Sequence, residues 1–214
     1  PFKKMYVPSA GHDAGTSIGS ALYLYNHILS NERKEEIKTA YFGRKSDNNE
    51  VIDCLEKHGV KYEKVNDDIL FDRVSDKLID GGVIGWFQGR AEFGPRSLGH
   101  RSIIVDPRRK DAKDLLNEKI KRRESFRPFA PSILEEYVEE YFVQNDAVPF
   151  MEKVYDIKTE KHSEIPAVTH VDGTGRLQSV NKEVSPRYHR LISEFKHKTG
   201  VPILLNTSFN ENEP

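Results

Sequence analysis

Arg90, Arg96 and Arg101 stand six and five residues apart in Gly89-Arg-Ala-Glu-Phe-Gly-Pro-Arg-Ser-Leu-Gly-His-Arg-Ser102. Guanidinium groups are rigid planar forks that match phosphate or carboxylate oxygens two at a time. The interspersed Gly94, Pro95 and Gly99 keep the segment from forming an ordinary helix and let backbone N–H groups come close to a ligand. Just ahead, Gly82-Val-Ile-Gly-Trp-Phe87 is a short apolar, β-branched and aromatic run of the kind that forms a buried strand. The arginines are therefore expected at and beyond that strand's C-terminal end, where open α/β sheets bind ligands.

A second basic cluster, Lys119, Lys121, Arg122, Arg123 and Arg127, lies in Asn117-Glu-Lys-Ile-Lys-Arg-Arg-Glu-Ser-Phe-Arg-Pro-Phe-Ala-Pro131. Lys119, Arg122 and Arg123 read as solvated charges favoured at a helix C-terminus. Arg127, between Phe126 and Pro128-Phe129, is expected to be held rigidly by an apolar frame, and Lys121 is a second ligand candidate. A third group is Thr169-His-Val-Asp-Gly-Thr-Gly-Arg-Leu-Gln178, where strand alternation brings His170, Asp172 and Arg176 near one turn. A hairpin with merely polar turn residues explains the same pattern. The fourth, Asn206-Thr-Ser-Phe-Asn210, follows an apolar run and offers amides and a hydroxyl, Ser208, for substrate hydrogen bonds or for a capping turn.

The sequence has no Walker A motif, Rossmann fingerprint, zinc spacing or nucleophile elbow. What remains is charge neutralisation by converging cations. Phosphoryl or nucleotidyl transfer suits that toolkit, because it demands positioning and electrostatic stabilisation, usually with Mg²⁺.

The elements that must position these groups follow from periodicity and punctuation. Met5–Val7 is expected as a strand, followed by a turn at Gly11–Thr16 and a helix through Ile28; 31–38 is a charged connection and the domain boundary. Strands are expected at 39–42, 60–65, 82–87, 102–105, 151–157, 166–171, 176–180 and 201–205. Helices are expected at 48–58, 70–79, 112–123 (capped by Asp111), 132–142 and 186–199. Alternation of this kind indicates an α/β domain, and its sheet is expected to be mixed.

At 214 residues the chain can bury a substantial core, and a net charge of −1 gives no global attraction to nucleic acid or anionic membrane. No run approaches a membrane span, and a lone Cys54 fits a reducing, cytoplasmic setting. The start at Pro1, without Met, reads as a piece of a longer enzyme.

Taken together, Gly85–Ser102, Phe126–Pro131, His170–Thr174 and Asn206–Asn210 resemble the C-terminal part of the O-carbamoyltransferases of nodulation and antibiotic tailoring. The resemblance spans almost the whole chain. It implies a YrdC-like domain over 39–214, preceded at 1–38 by the last strand and helix of an actin-like domain. It implies carbamoyl phosphate and ATP with Mg²⁺ as ligands, formation of carbamoyl-adenylate, and transfer of the carbamoyl group to a hydroxyl acceptor in the actin-like domain. By position it makes Arg96, Lys121, Arg127 and Arg176 phosphate-holding residues and Ser208 a hydroxyl contact. His170 and Asp172 become substrate contacts, and Arg90, Arg101 and Asn206 loop-shaping or supporting residues. Asp13 would be a ligand to Fe²⁺ or a similar divalent metal, with a helix N-cap as its plain alternative. The partners implied are small molecules, the missing N-terminal domain and a second copy as a homodimer, with no nucleic acid and no membrane. Full transfer is not expected of this piece alone. The competing readings are threonylcarbamoyl-adenylate synthesis and an RNA-binding YrdC-type module, the latter disfavoured by the lack of exposed aromatics among the cations.

Overall fold

A computed structural model describes residues 5–211; the extreme ends of the two expected segments, 1–4 and 212–214, lie outside the described residues. The centre is a five-stranded mixed sheet in the order β1-β2-β7-β3-β6. Its strands are β1 (Ile84–Phe87), β2 (Arg101–Val105), β3 (Ala130–Leu134), β6 (Gln178–Val180) and β7 (Ile203–Ser208). β1–β2, β2–β7 and β7–β3 are antiparallel, and β3–β6 is parallel. A small hairpin-like pair, β4 (Tyr155–Asp156) and β5 (Thr174–Gly175), stands apart.

Helices α3 (Asp67–Ile79) and α6 (Pro186–Thr199) pack against one another and against the sheet. Each begins and ends as its sequence dictates: Asn66 accepts from Ile69 N–H at 2.9 Å, Pro186 opens α6, and Gly200 at φ 82° closes it. Their apolar faces put Phe71, Leu78, Leu191, Ile192 and Phe195 into a core shared with Ile104, Ile133 and Leu204. Across their outer edges run ion pairs Arg187–Asp67 at 2.7 Å and Lys198 to Asp72 and Asp76 at 2.6 Å. α2 (Asn48–Lys57) carries a reciprocal capping box between Asp47 and Glu50.

Several expectations need correction. Residues 132–142 do not form one helix: β3 is buried at all five positions, so the run lacks strand alternation, and helix α5 starts only at Val138. Segments 5–7, 39–42 and 60–65 are not strands, and within 151–171 pairing is confined to Tyr155–Asp156 and a single bridge from Ile157 to Phe142. Val60 and Tyr62 stay exposed, with nothing beside them to complete a ladder. The expected return strand at 176–180 is confined to Gln178–Val180. Asp111 does not cap α4 (Ala112–Leu115), because its carboxylate is held by Arg109 at 2.6 and 3.1 Å. α4 continues as a π-helical turn over Leu116–Lys121 and stops at Arg122, whose φ is 47°. Among the described residues no helix is long and apolar enough to cross a membrane.

Candidate functional site

The strand directions determine where the four motifs meet. β7 runs antiparallel to β2 and β3, β6 runs parallel to β3, and β1 runs antiparallel to β2. The C-terminal ends of β1 and β7 therefore lie at the same end of the sheet as the starts of β2, β3 and β6. That end carries the arginine loop, Arg101, the Arg127–Phe129 run, Arg176 and Ser208. The expected placement of the motifs beyond strand C-termini is met at β1 and β7 only, because the sheet is mixed.

The loop between β1 and β2 is held on every side. Glu92 Oε1 accepts N–H bonds from Leu98 at 2.8 Å, His100 at 2.9 Å and Arg101 at 3.2 Å. Arg101 donates to the carbonyls of Gln88, His100 and Gly89 at 2.6, 2.8 and 3.1 Å and lies 3.6 Å over the Phe87 ring. Burial pulls its pKa below the ordinary guanidinium value. Arg90 donates to the Gly43 carbonyl at 3.1 Å, and its own carbonyl meets His100 Nδ1 at 2.7 Å. Arg90 and Arg101 thus shape the loop. Arg96 is exposed at the apex and, among the described residues, makes no hydrogen bond or ion pair. On its flank the chain pairs with 40–45: Phe93 N–H to Ala40 at 2.7 Å, Gly43 N–H to Ala91 at 2.9 Å and Ala91 N–H to Arg44 at 3.0 Å. Ser9 Oγ adds a bond to the Phe93 carbonyl at 3.0 Å.

Asn206, in the middle of β7, ties this loop to the centre of the sheet. Its amide donates to the Ser97 carbonyl and to Ser132 Oγ, both at 3.0 Å, while Ser132 donates to Gln178 Oε1 at 2.8 Å. Gln178 Nε2 reaches the Leu98 carbonyl at 2.9 Å. Asn206 is 1% exposed, so its role is to hold the loop rather than to contact a ligand from the surface. Its Oδ1 is buried and finds no partner among the described residues.

Lys121 is fully buried at the end of the π-helical turn. Its ammonium donates to Ser208 O at 2.7 Å, Ser208 Oγ at 2.9 Å, Asn210 O at 2.9 Å and Asn210 Oδ1 at 2.7 Å. Two residues chosen separately from the sequence, Lys121 and Ser208, are therefore direct partners, and Asn210 joins them. The next loop is bound from inside by Asn117, whose amide reaches the Ser125 and Arg127 carbonyls at 3.3 and 3.0 Å. Arg123, expected to be solvated, donates to Asn117 Oδ1 at 2.7 Å and lies 4.9 Å over the Phe129 ring. The apolar frame expected for Arg127 is incomplete: Phe129 is buried, but Phe126 is 73% exposed, so, contrary to expectation, an exposed aromatic does stand among these cations. Arg127 instead pairs with Glu124 at 2.9 Å, which helps hold that exposed carboxyl below its usual pKa after the backbone hydrogen bond that contributes most.

Around the turn, His170 Nδ1 lies 3.0 Å from Thr174 Oγ1, which donates to Asp172 Oδ1 at 2.7 Å. Burial depresses the His170 pKa; Arg176 and Lys113 nearby push it the same way and Asp172 opposes them. The hydrogen bonds from Thr174 lower the Asp172 pKa. The turn is hydrogen-bonded, with His170 N–H to the Thr174 carbonyl at 2.8 Å and Gly173 N–H to the His170 carbonyl at 2.9 Å, but the expected hairpin is absent because β5 pairs with β4 and 166–171 forms no strand. The charges of Arg176 and Lys113 lie near His170. Sequence reasoning missed Glu92, Asn117 and Lys113; the Glu92 position, four residues before Arg96 in the same loop, was the one available signal.

A cavity of about 980 Å³ opens beside β6 and includes Tyr41, Leu98, Gln178 and Ser185, but none of the arginines. The cationic groups line an open sheet end instead. Such groups suit anionic oxygens. A metal centre is a different matter: Asp13 lies in an exposed turn (Asp13–Gly15) ahead of α1 (Thr16–Tyr23), and no group of three His, Cys, Asp or Glu stands together among the described residues. Nor does Asp13 cap the turn through its side chain, since that place belongs to His12, which accepts from Ala14 N–H at 3.2 Å. The described residues do not by themselves make a metal site.

This sheet end, with its fixed cations, belongs to a transferase family. The family model described as "Carbamoyltransferase C-terminus" matches residues 75–214, and the chain belongs to that family. It is 43% identical over 99% of its length to nodulation protein NolNO of Sinorhizobium fredii, covering 32% of that protein. It is 42% identical over 66% of its length to a 3'-hydroxymethylcephem-O-carbamoyltransferase of Amycolatopsis lactamdurans, covering 26% of it, and 32% identical over 99% to the Streptomyces clavuligerus protein of the same name, covering 38%. The chain spans about a third of the length of the curated relatives it matches.

Proposed function

We propose that this chain supplies the activation site of an O-carbamoyltransferase, where carbamoyl phosphate and Mg²⁺-ATP are converted to carbamoyl-adenylate. The observation that carries this reading is the convergence of Arg96, the Lys121–Ser208 pair, Arg127 and Arg176 at one end of the sheet. Hydrolysis of carbamoyl phosphate gives carbamate and phosphate. A carbamate oxygen then attacks the α-phosphorus of ATP, and pyrophosphate leaves. Both substrates are polyanions, so their approach requires fixed positive charge. Arg96 and Arg127, the more exposed guanidiniums, make phosphate contacts; Arg176 and Lys113 neutralise charge from the His170 turn. Lys121 holds Ser208 and Asn210 at the end of β7, and no general base is needed because the carbamate is already ionised. The carbamoyl group then passes to a hydroxyl acceptor.

In this reading 39–214 is a YrdC-like domain and 1–38 the end of an actin-like one. Support comes from α1 and its π-helical continuation Leu24–Ile28, which bury none of their residues although Leu22, Tyr23, Leu24 and Ile28 are apolar. Apolar side chains left exposed together on a helix belong against something else. Asp13, just ahead of it, would be one ligand of a metal whose other ligands come from elsewhere.

The test is calorimetric titration with carbamoyl phosphate, alone and with a non-hydrolysable ATP analogue and Mg²⁺. Saturable binding weakened by Arg127→Ala by roughly 2 kcal/mol, about thirtyfold, is expected. Adenylate formation only with threonine and bicarbonate, or salt-steep RNA binding indifferent to ATP, would replace this reading with the corresponding alternative.

A further inference from the structure

We propose that Glu92 is a positioning residue that presents Arg96 to the anionic substrate, a proposal that rests on the activation site described above. Three backbone N–H groups, those of Leu98, His100 and Arg101, converge on the single oxygen Glu92 Oε1 at 2.8, 2.9 and 3.2 Å. N–H groups converging in this way form a concavity suited to a phosphate or carboxylate, with the intervening Gly99 N–H turned to Ser102 Oγ at 2.9 Å. Here the anion in the concavity is the protein's own carboxylate, so the concavity is not a subsite for substrate. Its effect is mechanical: the contact closes 92–98 into a ring with Arg96 on its rim.

The rest of the ring is tied down as well. Phe93 is fixed by Ala40 and Ser9, Leu98 accepts from Tyr41 Oη and Gln178 at 2.9 Å, and Ser97 bonds to Ser102 at 2.8 Å. Gly94 and Gly99 adopt φ of 145° and 92°, the conformations the closure demands. Arg96 alone of the loop's arginines keeps its guanidinium clear of these ties, since Arg90 and Arg101 are engaged with backbone carbonyls. A long side chain on a fixed backbone loses less freedom on binding than one on a loose loop. Glu92 thus acts on the ligand only through Arg96.

The experiment combines amide hydrogen exchange with ligand titration on the full chain and on Glu92→Ala, Glu92→Gln, Arg96→Ala and the Glu92→Ala/Arg96→Ala double variant. Glu92→Ala should speed exchange at Leu98, His100 and Arg101 at least tenfold. It should also weaken Mg²⁺-ATP-analogue and carbamoyl phosphate binding about tenfold. Glu92→Gln, which keeps an oxygen in the concavity, should stay within threefold of the parent. The double variant should bind no worse than Arg96→Ala alone. Multiplying losses in the double variant, or unchanged exchange in Glu92→Ala, overturn the proposal. Faster exchange in Glu92→Ala combined with a parent chain that binds neither ligand would leave the loop closure standing, refuting both the activation-site reading and Glu92's role in it.

Discussion

Replacing Lys121 by Met removes an ammonium and keeps the length of the side chain. The structure gives the magnitude. Three N–H donors serve four oxygens at 2.7–2.9 Å, and the residue is fully buried, so water does not take their place. Each charge-assisted bond is worth roughly 1.5–3 kcal/mol in mutational series, and the cost of burying the charge offsets part of the total. Loss of one partner from a buried charged cluster nets about 3 kcal/mol, or roughly 6–12 °C in Tm for a chain of this size. Ser208 Oγ also donates to Asn210 Oδ1 at 2.6 Å, so part of the cluster survives without the lysine. Urea unfolding of Lys121→Met, Ser208→Ala and the double variant reads both quantities. The two losses should fall short of additivity by about 1 kcal/mol, because the residues share partners. A Lys121→Met variant within about 0.5 kcal/mol of the parent would refute the claim that this ammonium fastens the end of β7.

Three other outcomes are expected. Arg96→Ala should leave unfolding free energy within about 0.5 kcal/mol, as an exposed side chain without ties, yet weaken anion binding at least tenfold by calorimetry. Gly99→Ala should destabilise by more than about 3 kcal/mol in thermal unfolding, since the new methyl would overlap the Tyr188 ring at a φ of 92°. Stability should fall as pH drops below the ordinary histidine value of 6.5, because burial lowers the pKa of both His100 and His170. The unfolded chain then binds more protons than the folded one, so acid favours unfolding. His100→Gln, which cannot be protonated, should reduce that slope in urea midpoints measured between pH 5 and 7.

The parts legible in the sequence were those with local causes. Gly59, Pro186 and Gly200 mark helix ends through chemistry confined to a turn, and α2 and α6 follow them, whereas α3 starts at Asp67 behind its Asn66 cap, three residues ahead of the expected Leu70. The stretch from Ser132 reads as helix because burial on both faces of β3 erases alternation; Pro131 itself stands opposite Leu205, one residue before β6 joins. The pairing of Lys121 with Ser208 joins residues 87 apart, and no local pattern announces it. Arg127 was set between two phenylalanines in the sequence, but only Phe129 is buried. Motifs gave the residue types; the mixed strand order decided which of them meet.

The lacing of 40–45 along 90–93 has a consequence for anyone recombining these proteins. The family match begins at residue 75, whereas the rail that steadies the arginine loop lies upstream of it. A hybrid joined at that boundary would combine a loop from one parent with a brace from another. Gly43 sits so close to Ala91 that a Cβ there would come within 2.8 Å of the alanine methyl, so a larger residue on either side would spoil the fit. The two stretches form one heritable unit, and productive crossovers should fall outside it, ahead of Ser9 or beyond Ser102.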